Sequence, residues 1–222
     1  MNRTTVARMF FAGTAAATVI GAATGRDRLH RVAKPLMMPA LAAGLSTPSP
    51  TLVAALAAAT AGDVLMLDPD DDSRILRGAS AFAVMQACYS ALLAGRGARI
   101  TATAALPRAA GWAVAAGSMA RRSPDVAPGL AGYGVLLATM STLAADPRLA
   151  PDATVRAGVV VPGRDSRTWL AAGGILFTVS DALIVFRRLT PMSERARRLA
   201  EGAVLSTYAL AQYLLVGSLS RK

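Results

Sequence analysis

The chain reads as an all-α fold, a polytopic membrane helix bundle of about eight transmembrane helices, and three observations predict it. Hydrophobic residues make up 54% and charged residues only 17% of the 222 residues, with a mean hydropathy of +0.43. An ordinary soluble domain is about 45–50% apolar and about 25% charged. The apolar residues are also grouped into runs of about 17–22 with few charges, and about 20 helical residues cross a bilayer core. The basic residues fall almost entirely in the short links between these runs. Residues 1–222 are therefore expected to form a single integral-membrane domain.

The first run, 5–25, has a basic start, an apolar middle and small residues after it, as a signal peptide has. With so many later runs, it reads as an uncleaved first span. The second, 31–47, is the weakest, because its apolar part from Pro35 to Thr47 is short. It spans only if its helix starts near Leu29 and Lys34 snorkels to the interface. The link STPSP makes it a tight hairpin with the third, 50–67, with prolines where helices start or stop. The fourth is 75–95. The fifth, 99–119, contains LPRAAG, where Pro107 with Arg108 should kink or interrupt the helix. The sixth, 126–145, is followed by the longest link, Asp146 to Arg167. Its three prolines and mixed charge predict an ordered surface loop or short hairpin. The seventh and eighth are 168–189 and 199–219. Lys and Arg split ten to thirteen between the two faces, with Arg108 inside the bundle. That split is too even for the positive-inside rule to set an orientation.

Several function classes are disfavoured. A net charge of +11 suggests nucleic acid, but aromatic residues are only 5% of the chain, leaving little to stack on bases. Arg and Lys at helix ends meet lipid phosphates instead. Cys88 stands alone among apolar neighbours and reads as a packed small residue. With one Cys and one His, the chain lacks the ligands of a structural zinc site. His30 reads as an interface residue, and the run DPDDD, Asp68 to Asp72, as a solvated helix stop.

Of the 13 acidic residues, only Asp63 and Asp181 lie within apolar runs. An Asp near a helix centre costs about 2.5–3.5 kcal/mol on insertion scales. Such a residue serves a proton, an ion or a substrate, or is offset by a partner within the bundle. The third and seventh spans point the same way, which places the two acids about 6 Å apart in depth at about 1.5 Å per residue. Lys34, Arg187 and Arg188 are expected on that same side. Acids slightly inside and cations at the rim form the layout of a pocket for a lipid head group. Helical spacing aligns Gly174, Thr178, Asp181, Val185 and Arg188 on one face. The fourth span aligns Gly78, Phe82, Gln86 and Tyr89, and the eighth aligns Glu201, Leu205, Tyr208 and Gln212. Such stripes should face one cavity, because polar groups avoid lipid. The plainer alternatives are an interhelical hydrogen bond for each acid, topology for the cations, and helix–helix adhesion for Gln86, Tyr208 and Gln212.

The succession KPLMMP (34–39), AGDVLML (61–67), GASAFAVMQACY (78–89), GYGVLLATM (132–140), GGILFTVSDALIVF (173–186) and STYALAQYLLVGS (206–218) resembles the YhhN-like lysoplasmalogenase family over nearly the whole chain. The resemblance implies an eight-span membrane hydrolase. Such an enzyme cleaves the vinyl ether bond of lysoplasmalogens to a fatty aldehyde and a glycerophospho-ethanolamine or -choline. Lys34 with Pro35, Asp63 after Gly62, Tyr89, Tyr133, Ser180 with Asp181, and Tyr208 with Gln212 fall on matching positions. Gln86 departs from the pattern, because the family usually has His there, and a neutral amide can be neither a proton donor nor a pH-tuned base.

Vinyl ether hydrolysis protonates the β-carbon and leaves an oxocarbenium ion; water adds and the hemiacetal collapses. It needs one protonated acid and one negative group, the division of labour seen in glycoside hydrolysis. Asp63 and Asp181 are the expected catalytic pair. Lys34 and Arg187 are expected near the phosphate, with Tyr89, Tyr133, Ser180, Tyr208 and Gln212 shaping the substrate site. Ser180 is no nucleophile here, since a vinyl ether offers it no carbonyl. No metal or organic cofactor is needed, and the expected partners are a lysophospholipid substrate and the lipids of the cell membrane. A proton-coupled carrier could use the same acids as a relay. Against it stand the absence of inverted halves and the expected clustering of polar groups toward one face. A scaffold, in which the acids only lock helices, is the third alternative.

Overall fold

The computed structural model describes residues 2–68, 71–156 and 159–220. Among them run nine α-helices: α1 (Arg3–Thr24), α2 (Asp27–Ala33), α3 (Met37–Ala43), α4 (Pro50–Leu65), α5 (Asp72–Gly95), α6 (Ala102–Arg122), α7 (Ala127–Ala144), α8 (Leu170–Leu189) and α9 (Glu194–Leu219). The fold is an all-α bundle. Helix starts follow local chemistry: the side chains of Asn2, Ser49, Asp71 and Ser193 each accept a backbone N–H of the first turn. Gly25 ends α1 in the left-handed region at φ 71°, the common glycine stop.

Helical segments occupy all eight expected runs, with ends shifted by up to five residues, as where α9 starts at Glu194. The second run is not one helix: α2 and α3 are separated by a 3-10 turn, Lys34–Leu36. Pro35, without an N–H, cannot continue the ladder there. The turn directs Lys34 inward, where it is only 5% exposed. The third run ends at Leu65, two residues early. The fifth runs through Pro107 without the interruption that the sequence offered beside a kink. Pro107 lies in the second turn, where it removes the hydrogen bond to the carbonyl four residues back and crowds that carbonyl with its ring. Among the described residues five segments are long and apolar enough to cross a membrane: α1, α5, α7, Ser166–Leu189 and α9. α4 is apolar but shorter. The link after α7 contains the short hairpin expected, with β1 (Val155–Arg156) antiparallel to β2 (Val159–Val160).

Hydrogen bonds define the two ends of the bundle. At one end, Lys34 Nζ donates to the Met66 carbonyl at 3.1 Å, Arg188 meets Asp72 and Ser123, and Arg122 reaches the Leu189 carbonyl. This end gathers the C-termini of α4, α6 and α8. At the other, Arg96 donates to the carbonyls of Ser218 and Leu219, and Ser218 Oγ donates to the Ser166 carbonyl. Between them lies a core of closely packed side chains, with Met37, Leu52, Met85, Tyr89, Phe177 and Leu215 almost wholly buried. Many outward positions are apolar, among them Met9, Phe10, Leu106 and Val114. Such a surface suits hydrocarbon.

Candidate functional site

A cavity of about 840 Å³ opens among α4 to α9 and is lined by Asp63, Asp181, Tyr133, Tyr208 and Lys34, among others. Its size is that of a small-molecule site. The two acids singled out in the sequence therefore share one cavity. Each is held by a tyrosine on a different helix. Tyr208 on α9 donates to Asp63 Oδ2 at 3.0 Å, and Tyr133 on α7 donates to Asp181 Oδ2 at 2.5 Å. The Asp63 side is tighter, with that residue 1% exposed.

Local packing explains the motifs around the acids. A Cβ on Gly62 would lie 2.7 Å from the Phe82 ring, so only glycine before Asp63 lets that ring approach α4. Phe82 in turn meets Tyr208 edge-on, with centroids 5.8 Å apart, and Phe177 meets the same tyrosine at 5.6 Å. Two aromatic rings thus fix the orientation of the hydroxyl that serves Asp63. In GGILF, a Cβ on Gly173 would press on Leu215 of α9, and one on Gly174 would press on Ser141 of α7. These glycines bring α8 close to both neighbours, with Thr178 and Asp181 on the α7 side.

The other expected site residues are placed as follows. Lys34 donates to Met66 at the C-terminal end of α4, and its charge also acts on Asp63. Arg187 forms an ion pair with Glu201 at 2.9 Å, both at the cavity wall. Ser180 Oγ, buried, donates to the Val204 carbonyl at 2.9 Å and ties α8 to α9. Tyr89 donates to Gln212 Oε1 at 2.7 Å. Both are fully buried behind the wall, where they support α5 and α9. Gln86 is also fully buried, beside Tyr133, and its amide makes no well-formed hydrogen bond among the described residues. In the acidic run, Asp68 pairs with Arg31 and Arg74, Asp71 caps α5 and Asp72 pairs with Arg188. Pro69 and Asp70 lie outside the described residues.

Two arginines contribute in ways that sequence reasoning missed. Arg74 donates to the carbonyls of Val64 and Leu65 as well as to Asp68, closing the end of α4 just beyond Asp63. A cation there meets the negative end of the helix. Arg108, read only as a helix disruptor, lines the cavity and donates through Nε to Ser141 Oγ at 2.7 Å. Thr178 stands 3.2 Å from the same oxygen. Polar groups are thus not confined to the rim expected from the sequence. The available signal was an arginine inside an apolar run, together with the stripe through Thr178.

No curated protein and no solved structure matches this chain. A family model described as the YhhN family matches residues 29–219, which takes in both acids, their tyrosines and the whole cavity wall. The chain belongs to the YhhN family.

Proposed function

We propose that the protein is a multi-pass enzyme of the cell membrane that hydrolyses the vinyl ether bond of lysoplasmalogens. The observation that carries this reading is the pair Asp63 and Asp181 in one lipid-sized cavity, each oriented by a tyrosine hydroxyl. The family supports it, and five long apolar helices support an integral membrane protein.

The chemistry needs little more. One carboxyl of the pair, protonated, delivers its proton to the β-carbon of the O–CH=CH unit. The π electrons form the new C–H bond, and the ether oxygen shares the resulting positive charge. The other, ionised, carboxylate stabilises that oxocarbenium ion and accepts a proton from the water that adds to it. The second carboxyl then gives that proton to the ether oxygen as the hemiacetal C–O bond breaks, and the first, now ionised, takes the hemiacetal hydroxyl proton, which releases the aldehyde and the glycerol hydroxyl and restores both acids. Acid–base catalysis by positioned side chains contributes typically about 10²–10⁴-fold. The phosphate needs a cation, and the wall supplies Lys34, Arg108, Arg187 and Arg188.

The purified protein should release aldehyde from a 1-alkenyl lysophospholipid and leave the saturated 1-alkyl analogue intact, because only the alkene can accept a carbon-bound proton. Equal inertness toward both would contradict the proposal. One observation favours a carrier as the second reading: the cavity wall extends beyond Asp181 to Arg108 and to Val159 of the hairpin link, toward the opposite end of the bundle. Proteoliposomes that move lysolipid without cleaving it would establish that reading instead.

A further inference from the structure

We propose that Arg108, Ser141 and Thr178 form the oxyanion site of the cavity, the place where the phosphate of a single-chain phospholipid binds. This deepens the hydrolase reading by assigning the head-group end of its site. The other wall cations considered for that role are already engaged. Arg187 is paired with Glu201, Arg188 with Asp72, and Lys34 serves the end of α4 beside Asp63. Arg108 differs: among the described residues no carboxylate pairs with it. Its hydrogen bonds run to Ser141 Oγ and to the Ala104 carbonyl at 2.8 Å, which leave its positive charge uncompensated. Arg108 is partly buried and lines the cavity, and ionisable residues placed in such cavities commonly serve substrates or ions.

The cluster has the donor set of a phosphate site. A guanidinium is the preferred planar donor to phosphate oxygens. Ser141 accepts from Arg108 through its oxygen and so keeps its own proton to donate. Thr178, whose own hydroxyl donates to the Gly174 carbonyl at 3.0 Å and to Ser141 Oγ at 3.2 Å, holds that serine in place from the α8 side. Position agrees as well. Thr178 and Asp181 lie three residues apart on one face of α8, about 4.5 Å along its axis. In a lysoplasmalogen a three-carbon glycerol separates the phosphate oxygen from the vinyl ether oxygen, a span on the order of one helical turn. A phosphate on Arg108 therefore sets the scissile bond beside Asp181. Arg188 lies about 15 Å from Thr178 along the same helix, two turns beyond Asp181 on its other side.

The test is equilibrium binding to the purified full chain in neutral detergent. The probes are dodecyl phosphate and inorganic phosphate, and Arg108→Gln, Arg108→Lys, Ser141→Ala and Arg187→Gln are compared with wild type. Dodecyl phosphate should bind wild type and lose about tenfold or more in affinity with Arg108→Gln. Arg108→Lys should retain part of that affinity, and Arg187→Gln, at the competing wall cation, should cost clearly less than Arg108→Gln does. If Arg108→Gln does not stay monodisperse, Ser141→Ala, which keeps the charge, should still weaken binding several-fold. Inorganic phosphate binding as tightly as dodecyl phosphate would support the oxyanion site with free phosphate as its source. Failure of wild type to bind either probe, or a loss confined to Arg187→Gln, would overturn the assignment. Because the readout is binding, phosphate binding without aldehyde release would keep this site and remove the hydrolase reading alone.

Discussion

Tyr133 and Tyr208 each offer one hydroxyl to a buried acid, whereas Tyr89 spends its hydroxyl on Gln212 behind the cavity wall. Removing a hydrogen bond to a buried charged group costs on the order of 1–3 kcal/mol, and about 1.4 kcal/mol is tenfold in rate. Tyr133→Phe and Tyr208→Phe should therefore each lower kcat for vinyl ether hydrolysis by about 10- to 100-fold in protein that still folds. Tyr89→Phe should instead lower thermal stability by about 1 kcal/mol and leave kcat within about threefold, which a melting curve beside an aldehyde assay would separate. At this scale the two acids and Tyr208 stood out in the sequence as polar residues in apolar runs, whereas Tyr133 was reached only through the family resemblance. The roles of Arg74 and Arg108 were not legible there. Arg74 lies near a helix end, where an arginine reads the same whether it caps a neighbouring helix or meets lipid phosphate, and Arg108 directly follows Pro107, which drew the reading toward a helix irregularity. Only the carbonyls of Val64 and Leu65, and the hydroxyl of Ser141, reveal what each does.

Between residue and bundle stand the elements, and the Gly-Asp pair at the end of α4 shows how one constrains another. Gly62 leaves the space into which Phe82 of α5 packs, and Phe82 braces the tyrosine that serves Asp63. Gly62→Ala would force ring and helix apart, an overpacking that typically costs about 1–3 kcal/mol. A melting temperature lowered accordingly, partly restored by the second change Phe82→Leu, would bear this out; an unaltered melting curve would not. Helix positions could be read from hydropathy and turn residues, and so could the hairpin link. The break at Lys34 could not, since a proline near a helix start is equally compatible with a continuous helix. The passage of α6 through Pro107 went the other way for the same reason.

At the scale of the whole bundle, small residues leave room for a cavity whose polar wall is assembled from helices far apart in sequence. α6 is its lightest wall, with Ala104 and Met119 its buried residues. Gly111 on this helix lines the cavity and has open space where a Cβ would stand. Gly111→Leu should therefore raise KM for long-chain substrate about tenfold while leaving the melting temperature within a few degrees. Equal kinetics for wild type and variant would place the substrate elsewhere. The central claim is that Asp63 and Asp181 act together on a vinyl ether, and its most direct test is aldehyde release by wild type beside Asp63→Asn and Asp181→Asn. Each protein is purified in detergent and verified as monodisperse. The account predicts turnover by wild type and a loss of at least about 10²-fold in each folded variant. Turnover retained in either variant would contradict it.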